Sequence, residues 1–175
     1  MTKKKKILTA LLVCVIAALI AGSMWLMNYM PEYREATQEE IEKFSVYKVD
    51  FTKLEGFAGK TDLEIVLSMC TEVDPQTLEP VTEGETTATE ATDKYYISET
   101  LSQYLVEFKS DLTISMSGGV LSVGYLQEGG LTVVLGYDKD GLYALGVYNK
   151  AENYAYFEHA GKASIATNIN SSFGG

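Results

Sequence analysis

VLSVGYL at Val120–Leu126, LTVVLGY at Leu131–Tyr137, LYALGVY at Leu142–Tyr148 and YAYFE at Tyr154–Glu158 are the runs that decide the fold of this chain. Each is short and rich in Val, Leu and Tyr. Turn formers separate them: Gly129 with Gly130, Asp138 to Gly141, and Asn149 to Asn153. Brief β-favouring runs between such turns predict an antiparallel meander. Leu112 to Met116 adds a strand before it and Ala163 to Ile169 one after it.

Turns of two or four residues at the first two connections give the same facing of side chains. With four-residue turns Val123 pairs with Val134 and Val134 with Leu145, and Leu121, Tyr125, Thr132, Gly136, Tyr143 and Val147 share their face. The opposite face then holds Ser122, Gly124, Leu126, Leu131, Val133, Leu135, Ala144, Gly146 and Tyr148. Both faces come out apolar, unlike a sheet with one side in water. Strand glycines often mark the close approach of another element. The candidate interaction face is therefore Gly124, Val133, Leu135, Ala144, Gly146 and Tyr148, awaiting a helix, a second copy or a protein partner.

Upstream of the meander, Ser98 reads as an N-cap, and Leu101, Tyr104, Leu105 and Phe108 recur at helical spacing, which predicts an amphipathic helix over 98–109. Residues 72–94 carry acids, threonines, Pro75 and Pro80 with few large apolar residues, and read as a flexible acidic linker or loop. Leu63, Ile65, Leu67 and Met69 alternate with their neighbours in the period of a strand. Thr37 with Glu40 three residues on forms a capping box that opens a helix bearing Ile41 and Phe44. Tyr47, Val49 and Phe51 then alternate as a strand does. The fold class expected is α+β, a small domain with an antiparallel meander and one or two packed helices.

The N-terminus is of another kind. Lys3 to Lys6 precede 21 residues, Ile7 to Met27, without a charge. At about 1.5 Å per residue a helix of that length reaches roughly 32 Å, enough for a bilayer core. Only Arg34 and Lys43 are basic in the twenty residues that follow, so the lysines mark the cytoplasmic side. Trp25 and Tyr29 fall at the exit side. A cleaved signal peptide, read at Ala21 and Ser23, is the rival, but apolar regions of signal peptides are shorter. The organisation expected is a basic cytoplasmic tail (1–6), a transmembrane signal anchor (7–27), the first part of an extracytoplasmic domain (28–71), the linker (72–94), and a helix plus meander (95–175).

All 24 acids and 10 of the 14 basic residues follow the apolar run, leaving that part with a formal charge of −14. Such a surface repels nucleic acid and anionic lipid headgroups. Cys70 is the one cysteine outside the apolar run, so no disulfide can form within the domain. His159 is the single histidine, which excludes triads and polyhistidine metal sites among residues of this chain. Asp138 to Gly141 lacks the ladder of a calcium loop and fits a hairpin turn. Gly118 and Gly119 precede a strand rather than a helix, so they form no phosphate loop. The tyrosines of the meander are first of all good strand formers. No catalytic, cofactor-binding or metal-ligating residue is assigned.

An apolar N-terminal helix followed by a domain ending in a meander resembles the architecture of a type IV pilin or pseudopilin. Members of that group have a glycine-bounded processing site and a glutamate near the start of the mature helix. Here Lys6 precedes Ile7 and the first acid is Glu32. The expectation is a single-pass membrane protein, not an enzyme, whose extracytoplasmic domain binds or scaffolds another component of the cell envelope. The alternatives are a pilin-like assembly subunit and a membrane-tethered hydrolase using paired carboxylates.

Overall fold

The structure, a computed structural model, describes residues 31–81 and 93–169. The elements are β1 (Glu32–Glu35), α1 (Gln38–Ser45), α2 (Asp62–Ser68), β2 (Thr71–Val73), β3 (Lys94–Ile97), β4 (Thr113–Ser117), β5 (Val120–Leu126), β6 (Leu131–Asp138), β7 (Gly141–Asn149), β8 (Tyr154–His159) and β9 (Lys162–Thr167), with 3-10 turns at Phe51–Lys53 and Leu101–Tyr104. The fold is mostly β with some helix. Nine strands form one antiparallel sheet in the order β1-β9-β8-β7-β6-β5-β4-β3-β2. The expected transmembrane segment 7–27 lies outside the described residues, and among those described no helix is long and apolar enough to cross a membrane.

From β2 to β9 every strand pairs with the next in sequence, while β1 pairs with β9 at the far edge. The first two strands therefore sit at opposite edges of the sheet, and residues 36–70 run across one face to join them. That crossing segment covers the core. Phe44 of α1 stacks on Tyr156 of β8, with ring centroids 4.5 Å apart. Phe51 meets the edge of Tyr137 on β6 at 5.6 Å. Ile65 and Val66 of α2 are fully buried, as are Leu121, Val133 and Leu135 beneath them. Each such side chain contributes about 1.5–3 kcal/mol through burial.

Both helices begin with the same device. Thr37 Oγ1 accepts the N–H of Glu40 and the Thr37 N–H donates to Glu40 Oε2, as expected. Thr61 and Glu64 repeat this at the start of α2. The expected strand over Leu63–Met69 is thus a helix. Its alternating apolar residues fit either period, but the Thr61-x-x-Glu64 box selects the helical one. Its first residue, Asp62, is buried and accepts the N–H groups of Phe51 (2.6 Å) and Thr52 (3.3 Å), which locks the 3-10 turn onto α2.

Three other expectations change. Tyr47, Val49 and Phe51 are not a strand: the chain leaves α1 in a turn, with Tyr47 and Phe51 directed to the core. The helix over 98–109 contracts to the 3-10 turn Leu101–Tyr104. Ser98 does act at its start, its Oγ accepting the N–H of Leu101 while donating to the Met69 carbonyl. The turn ends at Leu105, extended at φ −100° and ψ 140°; Glu107 then takes φ +45°, and Phe108 bridges to Gln127. Within the expected linker, Thr71–Val73 is an edge strand, Val73 is buried and bridges Pro80, and Asp74 Oδ1 accepts from Gln76 and Thr77 in a turn. The remainder of that stretch, 82–92, lies outside the described residues.

The six expected strands of the C-terminal half are present, each within a residue or two of its expected ends. Their register differs. Leu126 pairs with Thr132, and the Gln127 N–H donates to the Leu131 carbonyl, so Glu128, Gly129 and Gly130 form a three-residue turn. An odd turn moves β6 by one position relative to β5, and a one-residue slip exchanges the faces of a whole strand. Val123 consequently pairs with Leu135, and the bulge between Gly136 and Tyr137 sets Leu135 opposite Leu145. One face is consistently apolar and buried, and the other is open.

The two edges of the sheet can each be tested. The β8–β9 hairpin turns through Ala160 and Gly161 at φ +48° and +75°, a type I′ shape in which alanine is strained and asparagine is at ease. Ala160→Asn should raise stability by about 0.5–1 kcal/mol, read from the shift in denaturant midpoint at unchanged slope. Beside β9, Arg34 of β1 grips Glu40 with both guanidinium nitrogens, at 2.8 and 2.5 Å. This pair and the Thr37 cap hold the Glu40 carboxyl down at about 2. A depressed folded-state value means that this contribution is present above the ordinary range near 4.5 and is lost as pH falls toward about 2. Glu40→Gln should therefore flatten the acid limb of a stability–pH curve and leave its alkaline limb unchanged.

Candidate functional site

The open face is built from three rows running across the strands. One joins Thr113, Gly124, Val134, Gly146 and Phe157; a second joins Ser115, Ser122, Gly136 and Ala144; a third joins Leu126, Thr132, Tyr148 and Ala155. None of these thirteen side chains is charged, although 22% of the chain is; beyond them the rows run on through Ser164 to Glu35 and through His159 to Lys162, which bring charge to the rim of the face. Val134 and Phe157 stand proud of the surface, 42% and 37% exposed. A groove of about 360 Å³ runs beside them, floored by Ser122, Gly124 and Val134 and walled by Asp111, Thr113, Leu126 and Thr132. At one corner Ile169 folds back and is buried with Ala155 and Ala166, next to Tyr148.

Four of the six residues expected on the interaction face are there: Gly124, Ala144, Gly146 and Tyr148. Val133 and Leu135 are not. They sit on the buried face, fully enclosed, because the three-residue turn shifts β6. The expected arrangement of a valine between two cross-strand glycines survives with Val134 in place of Val133. The expected cover of this second face is not seen among the described residues beyond Ile169 at one corner.

Gly124 and Gly146 are not required by their own surroundings. Neither has a positive φ, and a Cβ would meet its nearest atoms at 3.7 Å (Thr113 Cβ) and 3.9 Å (Phe157 Cδ1), ordinary contact distances. Gly136 differs: a Cβ there would lie 3.4 Å from that of Ala144, beside the bulge that leaves Tyr143 unpaired in the register. Glycine in a strand interior costs roughly 0.5–1 kcal/mol relative to alanine. At positions 124 and 146 nothing inside the fold offsets that cost.

A second concavity, of about 300 Å³, lies at the far end of the β7–β8 ladder and is lined by Lys48, Asp138, Asp140, Tyr143, Glu158 and His159. Its charges are engaged. Lys48 Nζ lies 2.5 Å from Glu158 Oε1, and the Tyr156 hydroxyl donates to Glu158 Oε2 at 2.6 Å. Burial pushes the Glu158 carboxyl up, but these two bonds outweigh it and hold it below its ordinary range. Burial and the neighbouring carboxylate raise the Tyr156 hydroxyl. Lys139 pairs with Asp140, and Asp138 Oδ1 accepts the Asp140 N–H within the turn. His159 meets the Tyr143 ring edge-on at 4.4 Å. Among the described residues no group of three His, Cys, Asp or Glu side chains converges as metal ligands would. Burial pushes the Cys70 thiol up to about 11, leaving little thiolate at neutral pH.

No protein-family model matches the chain, nor does any curated protein or solved structure.

If the fold itself does not call for glycine at 146, Gly146→Ala should stabilise the chain by about 0.5–1 kcal/mol in chemical denaturation. A loss of stability would show instead that packing within the sheet demands the missing side chain.

Proposed function

We propose that this is a single-pass membrane-anchored extracytoplasmic protein of the cell envelope, whose open sheet face binds another component. The anchor reading is supported by the uncharged run Ile7–Met27 behind four lysines. The binding reading is carried by one observation: the uncharged centre of the open face keeps two glycines, Gly124 and Gly146, that its own packing does not need. A sheet face meant for water is normally studded with charged residues, which also deter unwanted association. A face stripped of charge in an acidic chain is suited to contact with an uncharged surface.

On this reading five Cα steps, at most about 18 Å, separate Met27 from Glu32, the first residue of β1. Glu32 pairs with Thr167, Thr167 with Tyr154 and Tyr154 with Asn149. The end of the sheet bearing the β7–β8 turn then faces the membrane, and the Lys139–Asp140 turn faces away from it.

Cysteine labelling tests both halves of the proposal. In a Cys70→Ser background, Ser122→Cys on the open face and Lys139→Cys on the distal turn should both be reached by an impermeant maleimide from the outside of intact cells. The thiol introduced at position 122 should react several-fold more slowly in native membranes than in dilute detergent, whereas the one at position 139 should react equally in both. Release of a chain beginning at Met24 into the soluble fraction would remove the anchor. Equal labelling at position 122 in both settings would remove the binding role.

A further inference from the structure

We propose that the surface which covers the open face is a second copy of this chain, packed face to face about a twofold axis that runs along the strands between β6 and β7. This rests on the binding role proposed above and adds the identity of the partner. An axis so placed sets β6 of one copy over β7 of the other, and β5 over β8. Within the central row, Val134 then lies over Gly146 of the second copy and Phe157 over its Gly124, each exposed side chain meeting a bare backbone. In the adjoining row Gly136 lies over Ala144, two small residues, and Ser122 lies over His159. The same face carries both the projections and the recesses, in the positions that a twofold axis exchanges, which is what an isologous interface requires.

Three further considerations favour this occupant. Six strands, β4 to β9, are the set that this axis maps onto itself; spaced about 4.8 Å apart and about six residues long, they span roughly 29 by 20 Å, about 580 Å² on each copy. The total of about 1,150 Å² clears the threshold of about 1,000 Å² for a specific interface. The chain carries a formal charge of −10, so two copies repel one another least across a surface poor in charge, and the centre of this face, from β4 to β8, is such a surface. Rotation about an axis parallel to the strands also keeps the β1 ends of both copies at the same end of the sandwich, as two chains anchored in one membrane need. Ile169 already caps Ala155 and Ala166, so it borders the contact at one corner.

Cross-linking of the full-length chain tests the geometry. In a background with Cys14 and Cys70 changed to Ser, the double variant Gly124→Cys/Phe157→Cys places its two thiols three strands, about 14 Å, apart within one chain, whereas stacked sheets set the same two positions of facing copies about 10 Å apart between Cα atoms. Both separations exceed the roughly 7 Å that a disulfide spans, so a short bifunctional maleimide is used that reaches further than a disulfide but well short of about 14 Å. Most of the treated protein should then migrate at twice the mass of one chain on a denaturing gel. Adding Gly146→Arg should abolish that product, and each single-cysteine variant should give little of it. In detergent, raising salt from about 0.05 M to about 0.5 M should strengthen association of the unmodified chain, because screening removes repulsion between like-charged copies. If the thiol of the Ser122→Cys variant is protected in membranes but the double variant yields no dimer, the face binds something else and the second copy is overturned. Where neither protection nor cross-linking is seen, both readings fall.

Discussion

The separation of the first two strands to opposite edges of the sheet governs the rest of the molecule. Because β1 lies beside β9 and β2 lies eight positions away, the chain between them has to travel the full width of the sheet. It does so on one side only. The buried aromatics Phe44 and Phe51 and the aliphatic pair Ile65 and Val66 are spaced along that crossing so that they meet β8, β6 and the centre of the sheet in turn. With a single crossing segment among the described residues there is one covered face, and the other is left to its own composition. That the second face lies open is thus a direct consequence of topology.

The strands of the C-terminal half were legible because their residue types and their turns agree: Val, Leu and Tyr runs stop at Gly129, at Lys139–Asp140 and at Asn153. Their register was not, because it hinged on whether the loop around Gly129 and Gly130 spans an even or an odd number of residues, and two adjacent glycines fit either. That single residue moved Val133 and Leu135 from the expected interaction face into the core. The helix at Asp62–Ser68 shows a different failure. Leu63, Ile65 and Leu67 alternate, but in seven residues the periods of strand and helix barely diverge, and the capping box at Thr61 and Glu64 was the stronger signal. At Leu101–Phe108 the helical spacing was genuine but local. Leu101 and Leu105 are buried while Tyr104 points outward, and the extended backbone at Leu105 ends the turn.

The two concavities of the molecule illustrate how differently polar and apolar surfaces advertise a role. The distal one gathers titratable groups, yet Lys48, Tyr156 and Glu158 satisfy one another and tie the crossing segment to β8. Its chemistry is turned inward, toward holding the fold together. The open face has no reactive group at all, and what distinguishes it is an unrecovered conformational cost at Gly124 and Gly146. Of its expected members, the glycines, Ala144 and Tyr148 could be found from sequence because small residues in strands are unusual. Phe157 could not, since its relation to Gly124 exists only once four strands are set in register.

The pairing of β1 with β9 also bears on the order in which the domain can be completed. Glu32 and Thr167 are neighbours in the sheet yet about 135 residues apart in the chain. Closing so long a loop carries a large entropic cost that no local contact offsets in advance. During synthesis the segment that emerges first has no partner until the last hairpin has formed, so β1 is the final strand added to a sheet that grows from its other end. Its exposed Glu-Tyr-Arg-Glu sequence keeps it soluble in the interval. The strand made earliest is the one that seals the finished edge.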